Sequence, residues 1–126
     1  MPRESAIVVI IDPVERVLLL QRPTWINWAP GQWAFPGGKL EAAESREDAA
    51  IRETKEETEL DIRALKEVQI PVDSSLTMYY TRDYTGTVKI DWEHDDFAWV
   101  TRSEIETYDL APQVLEAYDW VLNNGN

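Results

Sequence analysis

GGKLEAAESREDAAIRETKEETEL, residues 37–60, is the stretch on which the reading of this chain turns. Its two glycines follow Pro36 and let the backbone approach a neighbouring group closely. A helix is expected over 45–58. Ser45 is the N-cap, and Glu47 and Asp48 fall in the first turn, where the helix dipole favours acidic side chains. Ala50, Ile51, Thr54 and Thr58 recur at helical spacing and form a weakly apolar stripe. Beside it Glu53, Glu56 and Glu57 lie three and four residues apart, hence on one face. Like charges at that spacing destabilise a helix by roughly 0.2–0.5 kcal/mol per pair. Arg52 and Lys55 are expected to point largely elsewhere on the helix. A hard divalent cation relieves such repulsion, because Mg²⁺ takes oxygen ligands and accepts phosphate oxygens as well. The competing reading is a solvated glutamate face paired with nearby Lys and Arg.

Outward from this helix, residues 5–12 (SAIVVIID) read as a β-branched strand and 17–21 (VLLLQ) as its returning partner. The turn DPVER between them makes a hairpin, with Pro13 fixing φ and Asp12 bonding its own backbone. RPTWINWAPGQW is a loop. After the helix, DIRALKEVQI reads as a strand with a loop, and 76–90 as a hairpin around Thr85-Gly86. A short strand is expected at 97–100 and a helical turn at 103–107. An amphipathic helix is expected over 112–123, with Pro112 in its first turn and Val114, Leu115, Tyr118 and Val121 inward. Strands and helices in this order predict an α/β architecture, a mixed sheet sandwiched between helices.

Composition narrows the function classes. The 126 residues suffice for one domain spanning 1–126. There is no cysteine, which removes disulfides, zinc–thiolate sites and thiol catalysis. No run of apolar residues reaches the roughly 18 of a membrane span. No export signal is read at the N-terminus, so a soluble cytoplasmic protein is expected. The net charge of −12 argues against binding long nucleic acid through a basic surface.

The stretch resembles the Nudix box: Gly, five residues, Glu, seven residues, Arg-Glu, two residues, Glu-Glu, one residue, Gly and an apolar residue. Gly38, Glu44, Arg52-Glu53, Glu56-Glu57 and Leu60 match it across 38–60. FPGGKLE before and DDFAWVTRSEI after are also similar to the family. Two positions depart. Thr54 stands where an apolar residue is usual, and Glu59 replaces the helix-ending glycine. Glu59 costs about 1 kcal/mol if the left-handed cap geometry persists.

The resemblance implies a Nudix fold and a short MutT-like hydrolase. Such an enzyme cleaves a phosphoanhydride in a nucleoside diphosphate linked to another group: a nucleoside triphosphate, ADP-ribose or a nucleotide sugar. It implies Mg²⁺ or Mn²⁺ as cofactor, held by Glu53, Glu56 and Glu57 with a backbone carbonyl of Gly37 or Gly38. It implies that Arg52 orients Glu53 or Glu44, and that Glu44 is structural or an outer contact. Family members often dimerise, so a homodimer is an expected assembly. The general base is either a box glutamate or a residue of the loop DWEHDD, 91–96, where Glu93 and Asp96 are candidates to take the proton or to ligate a metal and His94 is a candidate base. Substrate identity is set outside the box. Arg22 is a candidate for phosphate or base, Trp28 and Tyr80 for stacking on a base, and Glu44 and Asp96 are further candidates for substrate contact. The contrasting class is a Nudix-fold module that binds a nucleotide without turning it over.

Overall fold

The computed structural model describes residues 4–125. β1 (Ser5–Ile10) is the spine of a four-stranded mixed sheet. One of its edges pairs antiparallel with β4 (Gly37–Lys39), the other parallel with β7 (Leu76–Thr81), which in turn pairs with β6 (Lys66–Glu67). β2 (Val17–Gln21) is the middle of an antiparallel three-stranded sheet, between β3 (Trp33–Ala34) and β9 (Asp96–Val100). β5 (Asp61–Arg63) pairs with β8 (Asp83–Thr85).

The alternation of side chains along β1 and β2 builds two cores. Ala6, Val8, Ile10, Leu18 and Leu20 face α1 (Arg46–Thr58), meeting Ala49 and Ala50. Val9, Ile11, Val17 and Leu19 face α2 (Val114–Asn124), meeting Val114, Ala117, Tyr118 and Val121. Burying each large apolar side chain is worth about 1.5–3 kcal/mol relative to leaving it exposed. The expected sheet between helices is what forms. No helix among the described residues is long and apolar enough to cross a membrane.

Two expected hairpins do not form. The backbone pairs at the bridge Ile11–Val17, just past β1, and β1 and β2 then join different sheets. A strand has two hydrogen-bonding edges, and those of β1 are already taken by β4 and β7. The turn itself is as expected: Asp12 accepts from the Val14 and Arg16 amides and from Arg16 Nε. Likewise β7 has both edges occupied, so the chain after Gly86 cannot return along it. It kinks at Arg82, where Thr81 Oγ1 accepts from the Asp83 amide and donates to the Arg63 carbonyl, and β8 pairs with β5 instead. The last helix starts at Val114, not Pro112. Gln113 takes a left-handed conformation at its N-cap (φ 70°) while its side chain donates to the Pro71 carbonyl.

Candidate active site

The box helix begins and ends on its own residues. The Asp48 amide donates to Ser45 Oγ at 3.1 Å. At the far end Glu59 holds the left-handed cap conformation (φ 63°), its amide donating to the Lys55 carbonyl. Glutamate thus adopts the geometry a glycine would take freely. Between these ends, Ala49, Ala50, Thr54 and Thr58 are buried, and so is Glu57.

The three glutamates share a face but not an environment. Glu57 is only 6 % exposed, Glu53 is partly covered and Glu56 lies open to solvent. The two glycines of β4 make room for the inner pair. The Gly37 amide donates to Glu57 Oε1 at 2.9 Å, and a Cβ on Gly37, whose φ is 145°, would lie 2.3 Å from the Ala6 carbonyl oxygen. A Cβ on Gly38 would lie 2.6 Å from Glu53 Cδ. Side chains at either position would displace backbone or a box carboxylate.

Arg52 does not point away from the glutamates, contrary to expectation. Its long side chain folds back across the face. Nε and Nη2 grip both oxygens of Glu44 at 2.8 and 2.9 Å, Nη1 reaches Glu53 Oε1 at 2.9 Å and Glu56 at 3.3 Å, and Nη2 also donates to the Lys39 carbonyl. This fork holds the Glu44 carboxyl down at about 2, helped by the Glu41 amide. Glu44 is therefore not placed to receive substrate: its oxygens are engaged in anchoring Arg52. The carboxylates in turn raise the arginine's pKa, Glu44 most strongly.

The loop 87–95 is laid along the end of α1. The Lys89 and Asp91 amides donate to the Thr58 and Glu57 carbonyls, and the Asp95 amide donates to Gln21. Negative charge therefore collects around Glu57. Burial pushes its pKa well up, and Glu53, Asp91 and Glu93 push it further, against the single Gly37 bond. Glu53 is raised for the same first reason, with Arg52 opposing. Asp91 was not among the residues expected from sequence, although it stands in the acidic run. His94 is covered rather than solvated, its Nδ1 sharing a 2.9 Å hydrogen bond with Asp91. Asp96 opens β9 opposite Gln21, with Oδ1 accepting from the Phe97 amide.

Arg22, next after β2, belongs to this cluster. Burial lowers its pKa and the charge of Glu57 opposes that effect. Its guanidinium lies 4.9 Å from the centroid of the Trp28 ring. Tyr80 is not brought here. Strand alternation turns it to the α2 side of the sheet, where it is buried edge-on against Trp120, away from α1. Arg82 is occupied by Glu15 and the Gly125 carbonyl.

The donor set suits a hard dication: the carboxylate oxygens of Glu53, Glu56 and Glu57 outnumber the cations beside them, Arg52 and Arg22. Among the described residues no three carboxylates or imidazoles already enclose a common point.

Known proteins similar to this chain place it in a family. The NUDIX domain family model matches residues 1–121. The CTP pyrophosphohydrolase of Escherichia coli (strain K12) is 33 % identical over 123 residues, covering 90 % of each chain. The nucleoside triphosphatase NudI of Enterobacter sp. (strain 638) is 34 % identical over 102 residues, 64 % of this chain and 70 % of that one. In fold, the MutT NUDIX hydrolase from Burkholderia pseudomallei superposes with a TM-score of 0.82 at 21 % identity, covering 96 % of this chain and 98 % of that one. With the box glutamates gathered on α1 against the glycines of β4, the chain belongs to the Nudix hydrolase family.

Proposed function

We propose that this chain hydrolyses nucleoside triphosphates to a nucleoside monophosphate and pyrophosphate, with Mg²⁺ or Mn²⁺, in the cytoplasm. The observation that carries the reading is the buried Glu57 carboxylate with Glu53, Asp91 and Glu93 around it: an arrangement costly for an apo protein and suited to a dication. The likeness to a CTP pyrophosphohydrolase and a nucleoside triphosphatase supports triphosphates as the substrate class.

Glu53 and Glu57 would hold the metal, with Glu56 and a carbonyl of Gly37 or Gly38 as further ligands. When bound, the metal neutralises charge on the transferred phosphoryl group and acidifies a water. The chain's residues do the rest. The Gly37 amide fixes the Glu57 carboxylate. Arg52, itself fixed by Glu44, fixes Glu53 by Oε1. Glu93 is exposed on a loop whose ends are tied to Glu57 and Gln21, and it accepts the proton of the attacking water. His94 braces that loop through Asp91.

The test is chromatographic product analysis of a panel of nucleoside and deoxynucleoside triphosphates, ADP-ribose and nucleotide sugars, with Mg²⁺ and with Mn²⁺. Monophosphate and pyrophosphate from at least one triphosphate is the expected result. Binding of nucleotides without cleavage of any would replace the hydrolase by a nucleotide-binding module.

A further inference from the structure

Arg22 is an anomaly of charge. The chain carries 24 acidic residues against 12 basic ones. Arg16, Arg46, Arg52, Arg63, Arg82 and Arg102 each hold a carboxylate within ion-pair distance. Arg22 alone of the described arginines does not, although Glu57 is the charge that acts on it most. A guanidinium within the field of the Glu57 carboxylate is drawn towards it unless something else holds it.

Trp28 is what holds it. Arg22 Nε donates to the Trp28 carbonyl at 2.9 Å, and the guanidinium lies 4.9 Å from the centre of the Trp28 ring. A planar, weakly hydrated guanidinium is well suited to both contacts. Trp28 can act as a fixed wall because its loop is closed on itself. The Arg22 amide donates to the Gln32 carbonyl, the Gly31 amide to Pro23, and Gln21 Nε2 to Gly31. Nη1 and Nη2 then have no hydrogen-bond partner among the described residues. The guanidinium is near enough to the glutamate site for the charge of Glu57 to act on it, and the backbone of Gln21, the preceding residue, receives the Asp95 amide of the loop that also bonds the Glu57 carbonyl.

We propose that Trp28 is a positioning residue: it keeps Arg22 off the glutamates, so that the two terminal guanidinium nitrogens stay free for the phosphates of the substrate. The inference rests on the triphosphate reading above. It differs from a role for Trp28 as a stacking platform for the base, because a positioning wall acts on any polyphosphate, with or without a base.

Inorganic tripolyphosphate, which has no base, separates the two. Native protein, Trp28→Ala, Trp28→Phe, Arg22→Ala and the Ala–Ala double variant are compared for KM with a nucleoside triphosphate and for competitive inhibition by tripolyphosphate, with Mg²⁺ throughout. Trp28 is 54 % exposed, so its replacement leaves the core intact. Trp28→Ala is expected to raise KM and the tripolyphosphate inhibition constant by the same factor, roughly 3- to 20-fold, with kcat changed less. Trp28→Phe restores most of that loss, and Trp28→Ala adds nothing in the Arg22→Ala background. A loss confined to the nucleotide, or one that adds to that of Arg22→Ala, overturns the proposal and makes Trp28 a base contact. Turnover of triphosphates with inhibition indifferent to Arg22→Ala overturns it while leaving the hydrolase standing. Native protein that neither cleaves nor binds triphosphates refutes the hydrolase and this inference together.

Discussion

Glu57→Gln should make the metal-free protein more stable while it loses activity. The Glu57 carboxylate is 6 % exposed, accepts one hydrogen bond from the Gly37 amide and feels Glu53, Asp91 and Glu93. Glutamine has nearly the same volume, keeps an oxygen for Gly37, and its NH₂ can donate to those neighbouring carboxylates. Losing the charged character of the Gly37 bond costs about 1 kcal/mol. Relieving a buried, uncompensated charge returns several kcal/mol. The net is a gain of about 2 kcal/mol at neutral pH, or about 8 °C in Tm for a chain of this size.

The pH dependence has a definite sign. Burial first, then the surrounding carboxylates, raise the native pKa of Glu57 above the ordinary 4.5. The native state therefore keeps a proton that the unfolded chain gives up. The stabilisation from that proton is fully present below pH 4.5 and is lost as pH rises through the raised native value. Glu53 adds to the slope in the same direction, with Arg52 opposing and Arg22 nearby. Thermal denaturation with a chelator, from pH 5 to 8, should show native stability falling with pH and a shallower fall in Glu57→Gln. Mg²⁺ should then stabilise the native protein more than the variant. A variant that is less stable at pH 7 with chelator, or that keeps the full native slope, would show that Glu57 carries no costly buried charge.

Three further substitutions test the box helix and the strand β4 packed against it. Thr54 is fully buried and its Oγ1 has no hydrogen-bond partner among the described residues, so Thr54→Val should stabilise by about 1 kcal/mol in chemical denaturation with turnover unchanged. Equal or lower stability would mean the hydroxyl is satisfied. Glu59→Gly relieves a left-handed cap and should raise stability by about 1 kcal/mol, read as a shift in denaturation midpoint at constant m; no shift would mean that Glu59 makes compensating contacts. Gly38→Ala puts a methyl 2.6 Å from Glu53 Cδ, so kcat should fall by about 100-fold with a much smaller change in Tm. Full activity in that variant would remove Glu53 from the site.

What was legible in the sequence was local. Ser45 and the acidic first turn mark the start of α1, and a period of 3.6 places Glu53, Glu56 and Glu57 on one side of it. Those features depend on neighbours within a few residues. The failed hairpins depend on which edges of β1 and β7 are already occupied, and the partners that occupy them, β4 and β6, lie far away or are very short. Tyr79 and Tyr80 are adjacent aromatics on β7. Nothing in the pair says which faces α2, since a shift of one residue exchanges their faces. Helical spacing gave Arg52 a direction for its Cβ, but its reach to Glu44 comes from a flexible stem that spacing does not describe. Asp91 is one acid among several in DWEHDD. It stands apart only once its amide is seen bonded to the Glu57 carbonyl and its carboxylate to His94.

The most direct measurement of metal-dependent hydrolysis is pyrophosphate release from a single nucleoside triphosphate by the native protein and by Glu53→Gln, each with Mg²⁺ and then with excess chelator. Release is expected from the native protein with Mg²⁺, abolished by the chelator, and reduced by orders of magnitude in Glu53→Gln while the fold is retained. Undiminished release with the chelator, or equal rates in the variant, would contradict a metal-dependent hydrolase built on these glutamates.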